Sequence, residues 1–533
     1  MTRSVLIVGG GTAGWMTASY LIKAFPDLKV SVVESERIGT IGVGEATFST
    51  IKVFLDFLEL KESDWMSDCN ATYKLAVKFV DWQDGPGHFY HPFQRYETVE
   101  GFNLGEWWLR VRPEQNFDEA CFTIPALCEA KSSPRFLDGR VFDERVRDFF
   151  DDDKGARVLT EHRAQYPYAY HFDALLFAKF LEGYATARGV HHLTDDVVDV
   201  RLGEDGAIAG IETRNHGELQ ADLYIDCSGF RGLLLNQALG EPFIPFGDYL
   251  LNDAAIGLQV PSDIERDGID PYTTAHALTC GWAWTTPLYS RNGKGYVYST
   301  RFITPEAAEE ELRAYIGPGA EGCRANHIKM RIGRARNSWV KNCVAVGLSS
   351  GFVEPLESAG IFFIQHNIEE LVAHFPGAEI DERAVRNFNR IVGNCIDGVR
   401  DFLVLHYRAA GRTDTPFWRA VREAPAPPSL TERLELWKSR LPNAKSIEPN
   451  YHGFEAYSYS VIILGMGYGA REPHPALARR DVDQAKQVFG QVREQARDLV
   501  SRLPSQREYL AQMRALERRA EPAAAAMSVL GAA

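Results

Sequence analysis

The sequence predicts a mixed α/β fold built on a parallel sheet, with a mostly helical part toward its C-terminal end. Three observations carry that prediction. A β-branched run near the N-terminus ends in a glycine-rich turn, continues into a helix-like segment and is followed by a second strand. Two later segments, near residues 225 and 345, repeat the pattern of an apolar strand closed by small residues. Beyond residue 375 the apolar positions recur at helical spacing.

In chain order, Val5–Val8 reads as the first strand, Gly9-Gly10-Gly11-Thr12-Ala13-Gly14 as the turn, Trp15–Ala24 as the helix and Val30–Glu34 as the second strand. This is a β-α-β unit with G-x-G-x-x-G at its first turn, and Glu34 lies 20 residues after Gly14. Each glycine has a physical reason: a tight turn at Gly9, close backbone approach to a pyrophosphate at Gly11, and helix–strand packing at Gly14. The unpaired N–H groups opening the helix, at Thr12 and Ala13, would face the phosphates, and Glu34 a ribose hydroxyl. The unit therefore predicts dinucleotide binding.

Leu223–Asp226 with Cys227-Ser228-Gly229, and Cys343–Val346 with Gly347-Leu348-Ser349, read as strands rejoining this unit after long insertions. That arrangement resembles the Rossmann-like FAD-binding fold of flavoprotein monooxygenases, which implies FAD rather than NAD, with Gly347 and Leu348 against the cofactor. Residues 1–375 then form an FAD-binding module with an interleaved, substrate-facing sheet layer, 376–520 a helical substrate-binding region, and 521–533 a flexible tail. Asp481–Leu503 is the clearest amphipathic helix, and Glu423–Ser429 (EAPAPPS) a proline-rich break.

Composition narrows the function. With 533 residues, the chain can bury a full core without metal or disulfide staples. The formal charge of −14 (58 Lys and Arg against 72 Asp and Glu) gives no positive field to draw in nucleic acid or an anionic membrane. No apolar stretch reaches the roughly 18–20 residues of a membrane span, and the N-terminus does not read as a signal peptide. The eight cysteines are scattered without a C-x-x-C pair, which predicts buried thiols, no metal site and a cytoplasmic protein.

Three segments carry candidate chemistry. Tyr73–Trp82 alternates in a period of two and reads as one strand, with Lys74 and Lys78 sharing a face with Ala76; pattern alone favours a solvated face. Gly281-Trp282-Ala283-Trp284-Thr285-Thr286-Pro287 places two indoles on one side of a strand, either as core or as a flat wall for an aromatic ligand. Phe352–Ile364 contains Glu354, Glu357 and Ser358 ahead of an apolar helix starting near Gly360. Capping explains Ser358 but not two acids in an apolar loop, while the N–H groups of Ala359 and Gly360 could form a small anion nest.

Taken together these motifs resemble the flavin-dependent tryptophan halogenases, closest in spacing to the 5- and 6-halogenases. The resemblance runs through GGGTAGWM, IGVGEAT (Ile41–Thr47), HFYHPF (His88–Phe93), DCSGFRG (Asp226–Gly232), the W-x-W-x-x-P hexad and EPLES (Glu354–Ser358), in order and over nearly the whole chain. It implies regioselective chlorination or bromination of an indole benzo ring, at position 5 or 6, of tryptophan that is free or within a peptide. Reduced FAD, dioxygen and halide would generate hypohalous acid, which travels internally to the substrate. Lys74 would hold and polarise it, as an ammonium or a transient haloamine, and Glu357, with Ser358 beside it, would stabilise the cationic ring.

By the same matching Gly44, Glu45, Ala46 and Thr47 belong to the cofactor site, Ala359 and Gly360 to the halide, and His91, Phe93, Trp282 and Trp284 to the indole. Tyr451, Phe454, Glu455 and Tyr457 would hold the amino-acid end. The family pattern also implies a homodimer and a separate flavin reductase as partner. Departures from it are Thr286 for isoleucine, Ala359 for threonine, Gly347-Leu348 where flavoprotein monooxygenases carry Gly-Asp, and Pro449-Asn450 before the His452-Gly453 turn. A directly hydroxylating aromatic monooxygenase and a non-catalytic flavin- or RNA-associated protein are the alternatives.

Overall fold

A computed structural model describes residues 2–37, 44–143, 166–469 and 472–516. The first half of the IGVGEAT motif, residues 41–43, and the expected tail at 521–533 lie outside those residues. The strand Ser4–Val8 pairs in parallel with Lys29–Glu34 on one side and Leu223–Asp226 on the other. Cys343–Ala345 adds on in parallel, and His191–Thr194 and Trp339–Val340 close the edges of a six-stranded sheet. Leu223–Asp226 and Cys343–Ala345, both buried along their whole length, thus rejoin the first two strands in one sheet despite their distance in sequence. Helix Thr12–Ala24 leaves the first strand through the glycine turn and packs on helix Ala174–Thr186 and helix Ala359–Ala373.

A second sheet has seven strands, in the order Ala325–Lys329, Ala254–Pro261, Arg291–Tyr298, Gly281–Pro287, Tyr272–Leu278, Ala76–Val80 and His88–Pro92. It is mainly antiparallel, but Ala76–Val80 runs parallel to Tyr272–Leu278. The single strand expected over Tyr73–Trp82 is broken. Thr72–Lys74 pairs with Ala169–Phe172 in a small three-stranded sheet, and only Ala76–Val80 joins the large one. Lys74 and Lys78 therefore belong to different sheets. Lys74 is completely buried, which overturns the solvated-face reading, whereas Lys78 is half-buried and bonds Glu129 at 2.9 Å.

After Ala373 the described chain is built from helices: Glu382–Ala409, Pro416–Glu423, Pro428–Trp437, Ala456–Gly465 and Asp483–Arg502. The proline-rich break falls between the second and third of these. One hydrophobic core runs from the parallel sheet through the large sheet into these helices. Among the described residues, no helix is long and apolar enough to cross a membrane.

Candidate active site

A cavity of about 720 Å³ opens where the parallel strands end at their carboxyl edge, within the size range of cofactor sites. Gly9–Ala13 and Glu34 form one side, Gly44–Ala46 and Gly347–Leu348 another, and Trp282, Trp284 and Thr286 of the large sheet cover it. Gly9 sits at φ +115°, where a Cβ would fall 2.3 Å from the Cys227 carbonyl oxygen. At Gly10 a Cβ would meet the Glu34 carboxylate at 1.4 Å. Only a bare backbone leaves this cradle open. The first-turn N–H groups of helix Thr12–Ala24 border the cavity at one end and the Glu34 carboxylate, 2.7 Å from His192 Nε2, borders it nearby. Donors for phosphate beside an acceptor for ribose hydroxyls make the chemistry fit FAD. Burial raises Glu45 to about 7.

Two predicted residues of this set lie off the cavity wall. Gly14 packs on the glycine turn, where a Cβ would strike the Gly9 carbonyl oxygen at 1.9 Å. Thr47 is buried, gives its hydroxyl to the Tyr170 carbonyl at 3.0 Å and turns its own carbonyl to Lys74. The wall also uses residues without a local motif, among them Arg37, Asp196 and Arg214.

Lys74 and Glu357 converge on one region although 283 positions apart. The Lys74 Nζ donates to Ser358 Oγ at 2.8 Å and to the Thr47 carbonyl at 3.2 Å, and stands 5.3 Å from the centre of the Phe93 ring. Burial lowers Lys74 to about 7, against the pull of the nearby Glu357 carboxylate. Ser358 lies on the cavity wall as well, so its hydroxyl joins the glycine-loop cavity to the lysine. The expected cap is not made. Ser358 occupies the position before helix Ala359–Ala373, but its left-handed backbone (φ +64°) departs from the extended geometry of a cap; it makes no side-chain bond to that helix, and its oxygen accepts from Lys74. Ala359 is buried as the first helical residue, and Gly360 borders the cavity.

The two acids have separate partners. Glu357 lies between two imidazoles, His91 Nδ1 at 2.9 Å and His406 Nε2 at 2.8 Å. Burial pushes its carboxyl up, but the charge of His91 and the bonds from both rings outweigh that and hold it at about 2. Glu354 is raised by burial, although it accepts from Tyr407, from Asn252 at 2.8 Å and from Trp282 Nε1 at 3.1 Å. Two neighbouring carboxylates are thereby driven in opposite directions, a separation characteristic of sites with divided roles.

Around this pair lie His91, Phe93, Phe454 and Tyr457. The His91 ring is 6.1 Å from Tyr457 and 6.3 Å from Phe454, and Phe454 stacks on Phe402 at 3.9 Å. Glu455 lies outward and makes a two-pronged ion pair with Arg95. Tyr451 is displaced, exposed and packed on Phe362 at 5.8 Å. Trp282 and Trp284 do not stand with His91 and Phe93. They cover the glycine-loop cavity with rings inclined at 58° and centres 6.3 Å apart, so they form no flat wall against an indole. His406, Phe402 and Arg95 escaped sequence reasoning. His406 lies one helical turn beyond Phe402 on the long helix Glu382–Ala409, and only the 3.6-residue phase of that helix could have paired them.

The tryptophan halogenase family profile matches residues 4–482. The chain is 53% identical to the 7-chloro-L-tryptophan 6-halogenase KtzR of Kutzneria sp. (strain 744), over 96% of this chain and all of that one. Among solved structures, Tar14, a tryptophan C-6 flavin-dependent halogenase (chlorinase) from taromycin biosynthesis, superposes with a TM-score of 0.91 at 54% identity, covering 96% of this chain and 100% of that one. The tryptophan 6-halogenase SttH from Streptomyces toxytricini does so with a TM-score of 0.92 at 51% identity, covering 96% and 99%.

Proposed function

The chain belongs to the tryptophan halogenase family, and from that premise we propose that it chlorinates the benzo ring of tryptophan at position 6, using FAD that arrives reduced from a separate reductase. The names of the 6-halogenases KtzR, SttH and Tar14 support position 6, and Tar14, named a chlorinase, supports chloride. The observation that carries the reading is the Lys74–Ser358 bond. It links the wall of the FAD-shaped cavity to a buried ammonium beside an aromatic cage.

When bound, reduced flavin with dioxygen and chloride supplies hypohalous acid. The Lys74 ammonium donates a hydrogen bond to its oxygen, leaving the halogen electrophilic; with Lys74 at about 7, a large share of the residue is charged at neutral pH. Ser358 and the Thr47 carbonyl aim Nζ. His91, Phe93, Phe454 and Tyr457 offer the ring surfaces that exclude water from the indole. Attack of the ring carbon on the halogen breaks the O–Cl bond, the Lys74 ammonium gives its proton to the departing oxygen, which leaves as water, and the ring is left as a cation that the Glu357 carboxylate stabilises. Held at about 2, Glu357 is a weak base, but the cationic C–H is a strong acid, so a proton acceptor of that strength suffices. The Ala359 and Gly360 N–H groups are the halide donors in this reading, which also includes a cytoplasmic homodimer.

The helical region 376–520 supplies His406, Phe402, Phe454 and Tyr457 to the site, which supports treating it as the substrate-binding part. The test is mass spectrometry and NMR of a reaction containing reductase-generated reduced FAD, dioxygen, chloride and tryptophan. The expected product is 6-chlorotryptophan. Absence of chlorinated product, or a hydroxylated one, overturns the reading.

A further inference from the structure

Among the described residues, two that border the glycine-loop cavity carry sulfur, Cys227 and Met330. Neither has a part in the chemistry above. Met330 directly follows Ala325–Lys329, the edge strand of the large sheet whose Trp282, Trp284 and Thr286 cover the cavity. Its backbone is held on both sides: the Met330 N–H donates to the Asp253 carbonyl at 2.9 Å, and the Ile332 carbonyl accepts from the Phe246 N–H at 3.1 Å. The side chain is buried, 7% exposed, on a stretch of wall that Ala255 and Ile328 also border.

The two sulfurs differ in reactivity. A thiol attacks electrophiles as its thiolate, and burial, followed by the adjacent Asp226 carboxylate, pushes the Cys227 thiol well up, so it stays protonated. A thioether needs no deprotonation, and its lone pair is always available to an oxidant. The indoles of Trp282 and Trp284 give up aromaticity when an electrophile adds, a cost that sulfur does not carry. Met330 is therefore the most readily oxidised group on this wall.

We propose that Met330 is an oxidation site built into the cofactor cavity: its thioether takes up hypohalous acid that is not delivered to Lys74. The inference rests on the functional reading above, in which the oxidant arises in this cavity and is used beyond Ser358. The sulfur attacks the chlorine of hypochlorous acid, the O–Cl bond breaks and the oxygen leaves as hydroxide. Water then adds to the chlorosulfonium and chloride departs, leaving the sulfoxide. Sulfur loses two electrons, chlorine ends as chloride, and one proton is released overall. A flexible apolar side chain thereby becomes a polar one in the cavity wall, which weakens the hold on FAD and is reversed by methionine sulfoxide reductases.

The experiment is peptide mass spectrometry of the full chain after incubation with reductase-generated reduced FAD, dioxygen and chloride, with tryptophan left out; a parallel sample lacks chloride. One added oxygen at Met330 is expected with chloride, at least about tenfold more often than without it or than at the buried Met16 and Met66. FAD titration of the treated protein should show weakened binding that methionine sulfoxide reductases restore, while Met330→Leu, a volume-conserving swap, keeps its own starting affinity through the same treatment. Met330 left unmodified, equal oxidation without chloride, chlorine on Trp282 or Trp284 ahead of oxygen on Met330, or equal loss of affinity in Met330→Leu overturns the proposal. A further sample, dosed with less than one equivalent of reagent hypochlorous acid, reads the sulfur without turnover: oxygen on Met16 or Met66 before Met330 also overturns it. Failure to chlorinate tryptophan when it is supplied would instead strike the functional reading, and the reagent sample still decides the reactivity of Met330.

Discussion

Replacing Ser358 with alanine isolates the bond that connects the cavity wall to the Lys74 amine, the group proposed to act on the halogen. In the native protein the Lys74 ammonium has two acceptors, Ser358 Oγ at 2.8 Å and the Thr47 carbonyl at 3.2 Å. The substitution removes the shorter bond and keeps the Cβ, so the left-handed backbone at φ +64° is no more costly than before. A hydrogen bond to a buried charged group contributes about 1.5–3 kcal/mol. Losing it disfavours only the charged form, and at about 1.4 kcal/mol per pH unit the lysine moves down by about one to two units. Lys74 therefore shifts from about 7 to roughly 5–6. If the ammonium is the working form, native kcat at saturating tryptophan falls on the alkaline side of about 7. In Ser358→Ala that limb moves acidward by the same one to two units, and turnover at pH 7.5 drops by roughly tenfold or more. Stopped-time assays of chlorotryptophan from pH 5 to 9 read the limb directly. A variant profile that superposes on the native one, or moves alkaline, refutes the argument.

Glu357→Gln removes the anion proposed above to stabilise the ring cation; a unit charge at about 4 Å and an effective dielectric near 20 is worth about 4 kcal/mol, so kcat should fall by roughly a thousandfold. The same carboxyl, at about 2 against an ordinary 4.5, contributes stability above pH 4.5 that is lost as pH falls toward 2. The difference in unfolding free energy between native protein and Glu357→Gln should therefore shrink over that window, by about 3 kcal/mol in denaturant titrations, and a constant difference contradicts the assignment. Gly10→Ala puts a methyl 1.4 Å from the Glu34 carboxylate. Fluorescence titration should show FAD bound at least about tenfold more weakly; unchanged affinity would show that the cradle does not hold the dinucleotide.

Local pattern made much of this site legible, and its limits are physical. The glycine turn, the strands that rejoin it and the helices after 373 follow from backbone needs and apolar periodicity, both of which are properties of consecutive residues. Lys74 was ambiguous because alternation continues through Tyr73–Trp82 while the chain changes sheets at Leu75, and a period of two cannot register a change of partner strand. The tryptophans of the W-x-W segment share a face as spacing requires, but spacing does not state what that face covers; here it covers the cofactor-shaped cavity. Ser358 has the residue type and position of a cap, but its left-handed backbone makes none, and its oxygen accepts from an ammonium 284 residues away. His406 and Arg95 carried no signal, since each acts through one long-range partner, Glu357 and Glu455 respectively.

Lys74→Ala tests the shared centre most directly. With reductase-generated reduced FAD, dioxygen and chloride, the variant is expected to yield no chlorotryptophan while hypohalous acid still escapes to an added small-molecule trap. Chlorotryptophan formed by Lys74→Ala at the native rate would contradict the assignment of Lys74 to the halogen.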